Sequence, residues 1–242
     1  TGDPGHLLRT SDGDGRYALS LAEQALSQAD KELNAEELTV LVQKRAPLYD
    51  KSDEGHYNLT SALHKSVRGS DPDAALYWFA RMIEGGEDPR FLARRMTRMA
   101  AEDIGLADPQ ALPQCIAAWE AYERLGSPEG ELALVQALIY LACAPKSNAA
   151  YKAGKAAGRA AKDTGSLMPP KHILNAPTKL MKEIGYSGGY QYDHDMPDAF
   201  SGQDYFPEEM ARQKFYNPPE RSFEREIRKR LEYWEKLRRA RA

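Results

Sequence analysis

The pattern of apolar and polar residues along this 242-residue chain is that of a helical protein. Apolar residues recur every three or four positions, as on one face of a helix, and strand-like alternation is almost absent before residue 185. A capping residue followed by proline marks four helix starts, at Asp71-Pro72, Asp88-Pro89, Asp108-Pro109 and Ser127-Pro128. The pattern predicts an all-α fold with helices at residues 15–29, 35–46, 54–68, 72–84, 89–104, 109–125, 128–143, 148–163, 177–184, 207–215 and 220–240.

Three segments organise the rest of the chain. Residues 75–83 (ALYWFARMI) are apolar nearly all round, which predicts a central helix. Residues 185–206, which include GYSGGYQYDHD, are too rich in glycine and tyrosine for helix and predict one irregular, aromatic-packed loop. The break at residues 46–53 (APLYDKSD) separates a predicted domain of residues 1–46, with only two helices, from a second domain of residues 47–242. Two helices cannot bury a core alone, so residues 1–46 are expected to be half of a small domain.

Composition indicates a soluble protein of a reducing, cytoplasmic compartment. No apolar run is long enough to span a membrane, and no signal peptide is visible. The two cysteines, Cys115 and Cys143, lie in apolar helical patterns, which predicts buried free thiols and neither a disulfide nor a metal site. The chain starts at Thr1 and not at methionine, so we expect it to be a fragment or a processed product of a longer protein.

The positive charge of the chain is concentrated in one segment. Residues 144–182 carry eight Lys or Arg against one acid, Asp163, whereas residues 1–143 carry 14 basic and 23 acidic residues. Within that segment, four cations fall at i, i+3, i+7 and i+10 and therefore share one face of the predicted helix: Lys152, Lys155, Arg159 and Lys162. Alanine and glycine occupy the opposite face, which we expect to pack inward. The basic face is either a solvated surface or a contact for nucleic-acid phosphates.

Other candidate contacts are less specific. Arg90, Arg94 and Arg98 repeat every four residues, and acids at positions 84, 87 and 102 could pair with them, so salt bridges and ligand binding both fit. The tyrosines that follow the basic segment could stack on bases or pack within their own loop; they are Tyr186, Tyr190, Tyr192 and Tyr205.

Catalytic signatures are missing. The segment AYKAGKAAG (residues 150–158) has a Gly-Lys pair but lacks the earlier glycine and the Ser/Thr of a phosphate loop. His194 lies between Asp193 and Asp195, but no third or fourth metal ligand follows at a suitable spacing. A metal-dependent hydrolase built on these residues is therefore disfavoured, and no metal site is expected.

Four long segments, at residues 56–89, 98–109, 141–153 and 175–195, closely resemble the C-terminal region of the RarA/MgsA family of replication-associated recombination ATPases. This family is related to the eukaryotic Werner-helicase-interacting protein. The resemblance implies a helical domain that forms homotetramers and follows a AAA+ ATPase core that uses ATP and magnesium. It also implies action at stalled replication forks and DNA ends, contact with single-strand-binding protein and a bacterial, nucleoid-associated location.

The resemblance gives one residue near the N-terminus a role. The segment GDGRYALSLAEQAL (residues 13–26) is similar to the start of a clamp-loader-type lid helix, where the matching arginine is the second sensor of the nucleotide phosphates. Arg16 takes this position, whereas the residues alone favour a surface arginine paired with Asp12 or Asp14. It is the expected cofactor-binding residue, and this fragment is not expected to hydrolyse ATP. The alternative to the DNA-associated function is a helical protein-interaction scaffold that makes no contact with nucleic acid.

Overall fold

A computed structural model of the chain describes residues 54–241, and all regular structure in that range is helical. These residues contain no β-strand, which confirms the predicted all-α fold. The predicted helices at 15–29 and 35–46, and the predicted domain boundary after residue 46, lie outside the described residues. None of the helices within 54–241 is long and apolar enough to cross a membrane.

The described part of the chain contains eight α-helices. They are α1 (Glu54–Arg68), α2 (Pro72–Glu84), α3 (Pro89–Met99), α4 (Ala111–Leu125), α5 (Glu131–Cys143), α6 (Ala149–Thr164), α7 (Lys179–Glu183) and α8 (Ser222–Arg241). A π-helical turn covers Ala100–Ile104, and short 3-10 helices cover Gly105–Ala107, Lys171–Ile173, Asp193–Asp195 and Pro197–Ala199.

Two of the four predicted capping pairs start a helix directly. The Asp71 carboxylate accepts a hydrogen bond from the backbone N–H of Ala74, and that of Asp88 accepts one from Arg90, each at 2.9 Å. Asp108 accepts from the backbone N–H of Gln110 at 3.0 Å, and α4 then begins at Ala111. The Ser127 hydroxyl is instead hydrogen-bonded to that of Tyr122 at 3.2 Å, so α5 begins three residues later than predicted.

The described residues divide into two compact units. Unit 1 contains residues 54–100 and 112–144, and therefore α1, α2, α3, nearly all of α4, and α5. Unit 2 contains residues 101–111 and 145–241, and therefore the short turns after α3 and the helices α6, α7 and α8.

The core of unit 1 is built around α5, which packs against α1, α2 and α3. Its residues Leu134, Leu138 and Leu141 are completely buried. The prediction that residues 75–83 form the central helix is therefore only partly right. In α2 the side chain of Phe79 is buried, but that of Tyr77 is 59% exposed. The α5 sequence has only Glu131 as a charged residue, which explains why it can be surrounded by apolar neighbours.

Unit 2 is organised around the turn Gly105–Ala107, which packs against both α6 and α8. The backbone N–H of Ser147 donates to the carbonyl of Asp103 at 2.7 Å and fixes the segment that leads into α6. Gly105 has φ of +52°, and a Cβ at this position would lie 3.1 Å from the Ser147 carbonyl oxygen. Both the backbone conformation and the close approach therefore require glycine here.

The predicted helix at residues 207–215 is wrong, because this segment is irregular. The Arg212 guanidinium donates to Asp204 at 3.0 Å and lies 5.7 Å from the centroid of the Phe206 ring. The ring of Phe215 in turn lies 6.2 Å from that of Phe206. The prolines Pro218 and Pro219 follow directly. These contacts within the loop replace the regular backbone hydrogen bonds that the charged, helix-like sequence pattern suggested.

Candidate nucleic-acid interface

The four basic residues predicted to share a helix face are all exposed on α6. Helix α6 runs for 16 residues, about 24 Å, and the cations occupy positions 152, 155, 159 and 162 along it. Lys155 Nζ lies 4.8 Å from the centroid of the Tyr151 ring, one turn earlier, which holds this ammonium group against an aromatic face. The result is a row of cations on one side of a single helix.

These four cations lack carboxylate partners, in contrast to those of α8. Within residues 54–241, none of the four forms an ion pair. Along α8, most of the basic residues are paired. Arg228 contacts both Glu220 and Glu232, and Arg241 contacts Asp198. The same unit therefore neutralises the positive charge of one helix internally and leaves that of the other available to an external anion.

The opposite face of α6 is less buried than predicted. Ala153, Ala157 and Ala160 are half-buried, but Ala156 and Ala161 are exposed, and no residue of α6 is completely buried. The expectation that the whole alanine and glycine face packs inward is therefore wrong. The small side chains remove little apolar surface from water, so α6 is held at its N-terminal end by the turn Gly105–Ala107 rather than by a wide apolar face.

In the row of arginines on α3, Arg90 is explained by internal contacts. Arg90 donates to both carboxylate oxygens of Glu123, from Nε at 2.8 Å and from a terminal nitrogen at 3.0 Å. Trp119 donates to the same carboxylate at 3.0 Å. The hydrogen bond with Glu123 raises the pKa of Arg90, and the one from Arg90 lowers the pKa of Glu123. Glu123 is not among the acidic partners predicted for this row, which were at positions 84, 87 and 102. It lies 33 residues after Arg90 along the chain.

Comparison with known proteins shows which protein families the chain matches. Residues 69–235 match the family described as the C terminal of the MgsA AAA+ ATPase. The chain belongs to this MgsA AAA+ ATPase C-terminal family. Residues 4–68 match a second family, described as the AAA C-terminal domain. The resemblance found from the four sequence segments is thus confirmed.

Relatives of this MgsA-type chain occur in bacteria and in a eukaryote. It is 49% identical over 241 residues to a protein of Coxiella burnetii named replication-associated recombination protein A, covering 96% of this chain and 54% of the relative. The protein of the same name from Escherichia coli is 47% identical, with coverage of 90% and 51%. The ATPase WRNIP1 of Dictyostelium discoideum is 40% identical, with coverage of 87% and 26%. The chain spans about half the length of the bacterial relatives it matches.

The nucleotide-sensing residue expected for this MgsA-type chain, Arg16, lies outside the described residues. Its role, and that of ATP and magnesium in a longer protein, stay predictions. Within residues 54–241, no group of three or more His, Cys, Asp or Glu side chains is placed to hold a metal ion.

The DHD segment has a local structural function. The Asp193 carboxylate accepts hydrogen bonds from the backbone N–H of Ser201 at 2.7 Å and from the hydroxyl of Tyr205 at 2.8 Å. These bonds lower the pKa of Asp193, the backbone bond most of all. Asp193 thereby closes the irregular loop on itself. These hydrogen bonds are enough to explain its lowered pKa, with no need for a metal.

The aromatic side chains of this loop are divided between packing and exposure. Tyr186 is half-buried, whereas Tyr190, Tyr192 and Tyr205 are exposed by 47%, 54% and 44%. The ring of Tyr192 contacts that of His194, with 5.1 Å between centroids. The loop is ordered by its own contacts, as expected if the tyrosines pack within it. It also presents ring surface to solvent, as stacking on bases would require.

Sequence reasoning missed two polar features of this MgsA-type chain. One is a cleft beside α1 and α3 whose lining includes Thr60 and Arg95. The other is Glu224, which is completely buried in the first turn of α8. The cleft leaves a signal in the sequence, because the α1 residues that line it recur at helical spacing and include no acid. The burial of Glu224 leaves none, because its neighbours come from the irregular segment before α8.

Proposed function

We propose that this chain is the C-terminal part of a DNA-dependent AAA+ ATPase that acts in replication-fork maintenance and recombination. In this proposal the basic face of α6 contacts the phosphate backbone of DNA. The observation that carries it is the row of four exposed cations on α6 that form no ion pair within residues 54–241, whereas the cations of α8 are mostly paired. The names of the bacterial relatives, which refer to replication and recombination, support the same function.

The physical basis of the contact is the release of counterions. Each phosphate neutralised by a Lys or Arg releases condensed cations and makes the affinity fall as salt rises. The cations of α6 are exposed, so little protein structure has to change before they meet a phosphate. The exposed rings of Tyr190, Tyr192 and Tyr205 in the same unit offer surfaces on which unpaired bases could stack. We therefore propose single-stranded DNA or DNA ends and forks as ligands.

Replacing Lys155 and Arg159 together by alanine tests the proposal. We expect weaker binding to all DNA sequences alike, because phosphates carry no sequence information. Removal of two phosphate contacts should reduce the slope of log affinity against log salt by about 1.4 for single strands and about 1.8 for duplexes. Binding is measured by fluorescence anisotropy over a series of salt concentrations. Helix stability should change little, since alanine is a good helix former and these charges are exposed.

The matched control is Lys229→Ala with Arg239→Ala, which removes the same charge from exposed positions that are paired with Glu226 and Glu235. This variant should bind DNA nearly as the unaltered chain does. If the α6 variant keeps both its affinity and its salt slope, the face is only solvated. The alternative, a helical scaffold for protein partners, would then be favoured.

We also propose that the chain assembles into a homotetramer. Unit 1 exposes apolar side chains one turn apart on α4, where Leu112 and Ile116 are 42% and 41% exposed, and on α5, where Leu132 is 72% exposed. Exposed apolar residues on neighbouring turns of one helix, as on α4, are common at subunit interfaces. Multi-angle light scattering at micromolar concentration tests this. A monomer at every concentration would contradict it.

The longer protein in this proposal binds ATP and magnesium in a core that precedes residue 1, with Arg16 of this chain reaching the nucleotide. The chain itself hydrolyses no ATP. Its further partner is single-strand-binding protein, and its location is the bacterial cytoplasm at the nucleoid. A pull-down of single-strand-binding protein in nuclease-treated extract tests the partner independently of DNA.

A further inference from the structure

A cleft in unit 1, beside α1 and α3, has the properties of a ligand site. Its volume is about 330 Å³, in the range of small-molecule pockets. The α1 residues that line it include Tyr57, Thr60, Ser61, Lys65 and Arg68, which recur at intervals of one, three or four residues and so lie along one face of the helix. Helix α3 contributes Phe91 and Arg95, which are one turn apart.

The lining of the cleft is positively charged. Three side chains with permanent positive charge line it, Lys65, Arg68 and Arg95, and the described lining contains no carboxylate. The nearby acid Glu87 is not part of the lining, and its carboxylate pairs with His56 Nδ1 at 2.8 Å. The concave shape concentrates the field of these cations, so the cleft favours an anion.

Two buried polar atoms of the lining have no partner. Thr60 is 7% exposed, and its Oγ1 atom makes no hydrogen bond within the described structure. The Nε atom of Arg95 is likewise buried without an acceptor. A buried polar group without a partner destabilises a protein by about 1–3 kcal/mol. Thr60 and Arg95 both line the cleft, so a ligand with acceptor oxygens would lie beside the two residues whose polar atoms lack them.

We propose that this cleft binds a phosphate group, carried either by a nucleotide or by a nucleic-acid backbone. A phosphate offers several acceptor oxygens around one centre, which suits an arginine Nε–H, a threonine hydroxyl and an ammonium group together. The cleft is larger than a phosphate alone, and Phe91 in its lining provides an apolar surface for an attached sugar or base. The site uses none of the residues of the basic face of α6.

The test is a titration of the chain with three probes: inorganic pyrophosphate, a thymidine mononucleotide and a short oligothymidylate. Thr60→Val removes the hydroxyl at nearly constant volume, and Arg95→Gln removes the charge and the Nε donor. We expect each variant to bind the phosphate probes about tenfold more weakly, as for loss of a charge-assisted hydrogen bond. Arg124→Gln is the control, because Arg124 is exposed and pairs only within α4, with Glu120.

Two further measurements make the outcome unambiguous. Methyl NMR of Thr60 should shift on addition of pyrophosphate, and Arg95→Lys, which keeps the charge, should retain part of the affinity. Binding of mononucleotide as tightly as oligothymidylate would identify a nucleotide site, and binding of the oligomer alone a backbone site. The proposal is overturned if Thr60→Val and Arg95→Gln bind like the unaltered chain, if the Thr60 signal stays unchanged, or if only a glutamate-rich peptide binds. These titrations do not depend on the α6 variant. If that variant binds DNA normally, the conclusion about the cleft still stands.

Discussion

The hydroxyl of Tyr216 donates a hydrogen bond of 2.8 Å to the Glu224 carboxylate, which is completely buried at the start of α8. The second oxygen of that carboxylate has no partner in the described structure. Burial and the bond to Glu224 both raise the pKa of Tyr216, so the tyrosine stays a donor at all physiological pH values. This contact joins the irregular segment before α8 to the helix itself.

Tyr216→Phe should destabilise unit 2, because it leaves the buried carboxyl group of Glu224 with no donor. We expect a loss of about 1–3 kcal/mol in the free energy of unfolding, measured by urea denaturation. Tyr192→Phe is the control, since Tyr192 is 54% exposed. Equal stability of the two variants would mean that the hydrogen bond contributes nothing.

The Asp193 loop should lose stability in acid. The pKa of the Asp193 carboxyl group is lowered in the folded chain by hydrogen bonds from the Ser201 backbone N–H, the Ser201 hydroxyl and the Tyr205 hydroxyl. The stabilising contribution is therefore complete above the ordinary aspartate pKa of about 3.9 and disappears as the pH falls through the lower, folded value. Asp193→Asn should melt below the unaltered chain at pH 7, and the difference should shrink as the pH falls below the ordinary aspartate pKa.

Thermal melting by circular dichroism from pH 7 to pH 2.5 measures this difference. Asp195→Asn, a change at an exposed neighbour, should leave the pH dependence as it is. A difference between Asp193→Asn and the unaltered chain that stays constant over the whole range would show that the carboxylate charge is irrelevant to the loop.

The two cysteines should differ sharply in reactivity. Both were predicted to be buried, but only Cys115 is, and Cys143 is exposed at the end of α5. Burial raises the pKa of Cys115 to about 12, so at pH 8 about one molecule in ten thousand carries the reactive thiolate. A thiol reagent such as DTNB should modify one cysteine rapidly in the native chain and two in denaturant. The native reaction should vanish in Cys143→Ser, and rapid modification of Cys115 in that variant would contradict its burial.

Arg16 should matter for ATP hydrolysis in the longer protein and not for its assembly. Loss of one charge-assisted contact to a phosphate oxygen is worth about 1.5–3 kcal/mol, so Arg16→Ala should lower turnover by about ten- to a hundredfold. Arg9→Ala, which removes the same charge seven residues earlier in the sequence, is the control. Turnover is measured at saturating ATP and DNA, and light scattering checks the oligomer. Unchanged turnover would show that Arg16 does not contact the nucleotide.

Local sequence signals predicted the helices well where a cap fixes their start. Asp71 and Asp88 both cap helices whose first residue is the predicted proline. Prediction was poorer where tertiary contacts override the local pattern. Residues 207–215 look helical in sequence, but Asp204 and Phe206 hold Arg212 in an irregular segment.

The basic face of α6 could also be predicted, because it follows from the spacing of residues on one helix. Pairings across the chain could not. Arg90 finds Glu123 at a separation of 33 residues, and Glu224 is buried against Tyr216 by the course of a loop. Neither pairing leaves a periodic signal. The cleft at Thr60 and Arg95 depends likewise on two helices coming together, although each contributes a face without acids.

Residues 101–111 follow α3 in sequence but belong to unit 2, where their turn contacts α6 and α8. The polypeptide therefore crosses between the units after residues 100, 111 and 144. Truncation of the chain at one position therefore cannot give either unit intact. A clone that begins at residue 145 would lack the Asp103 carbonyl that accepts from Ser147, and the glycine turn on which α6 rests. We therefore expect the two units to fold only when they are expressed together as one chain.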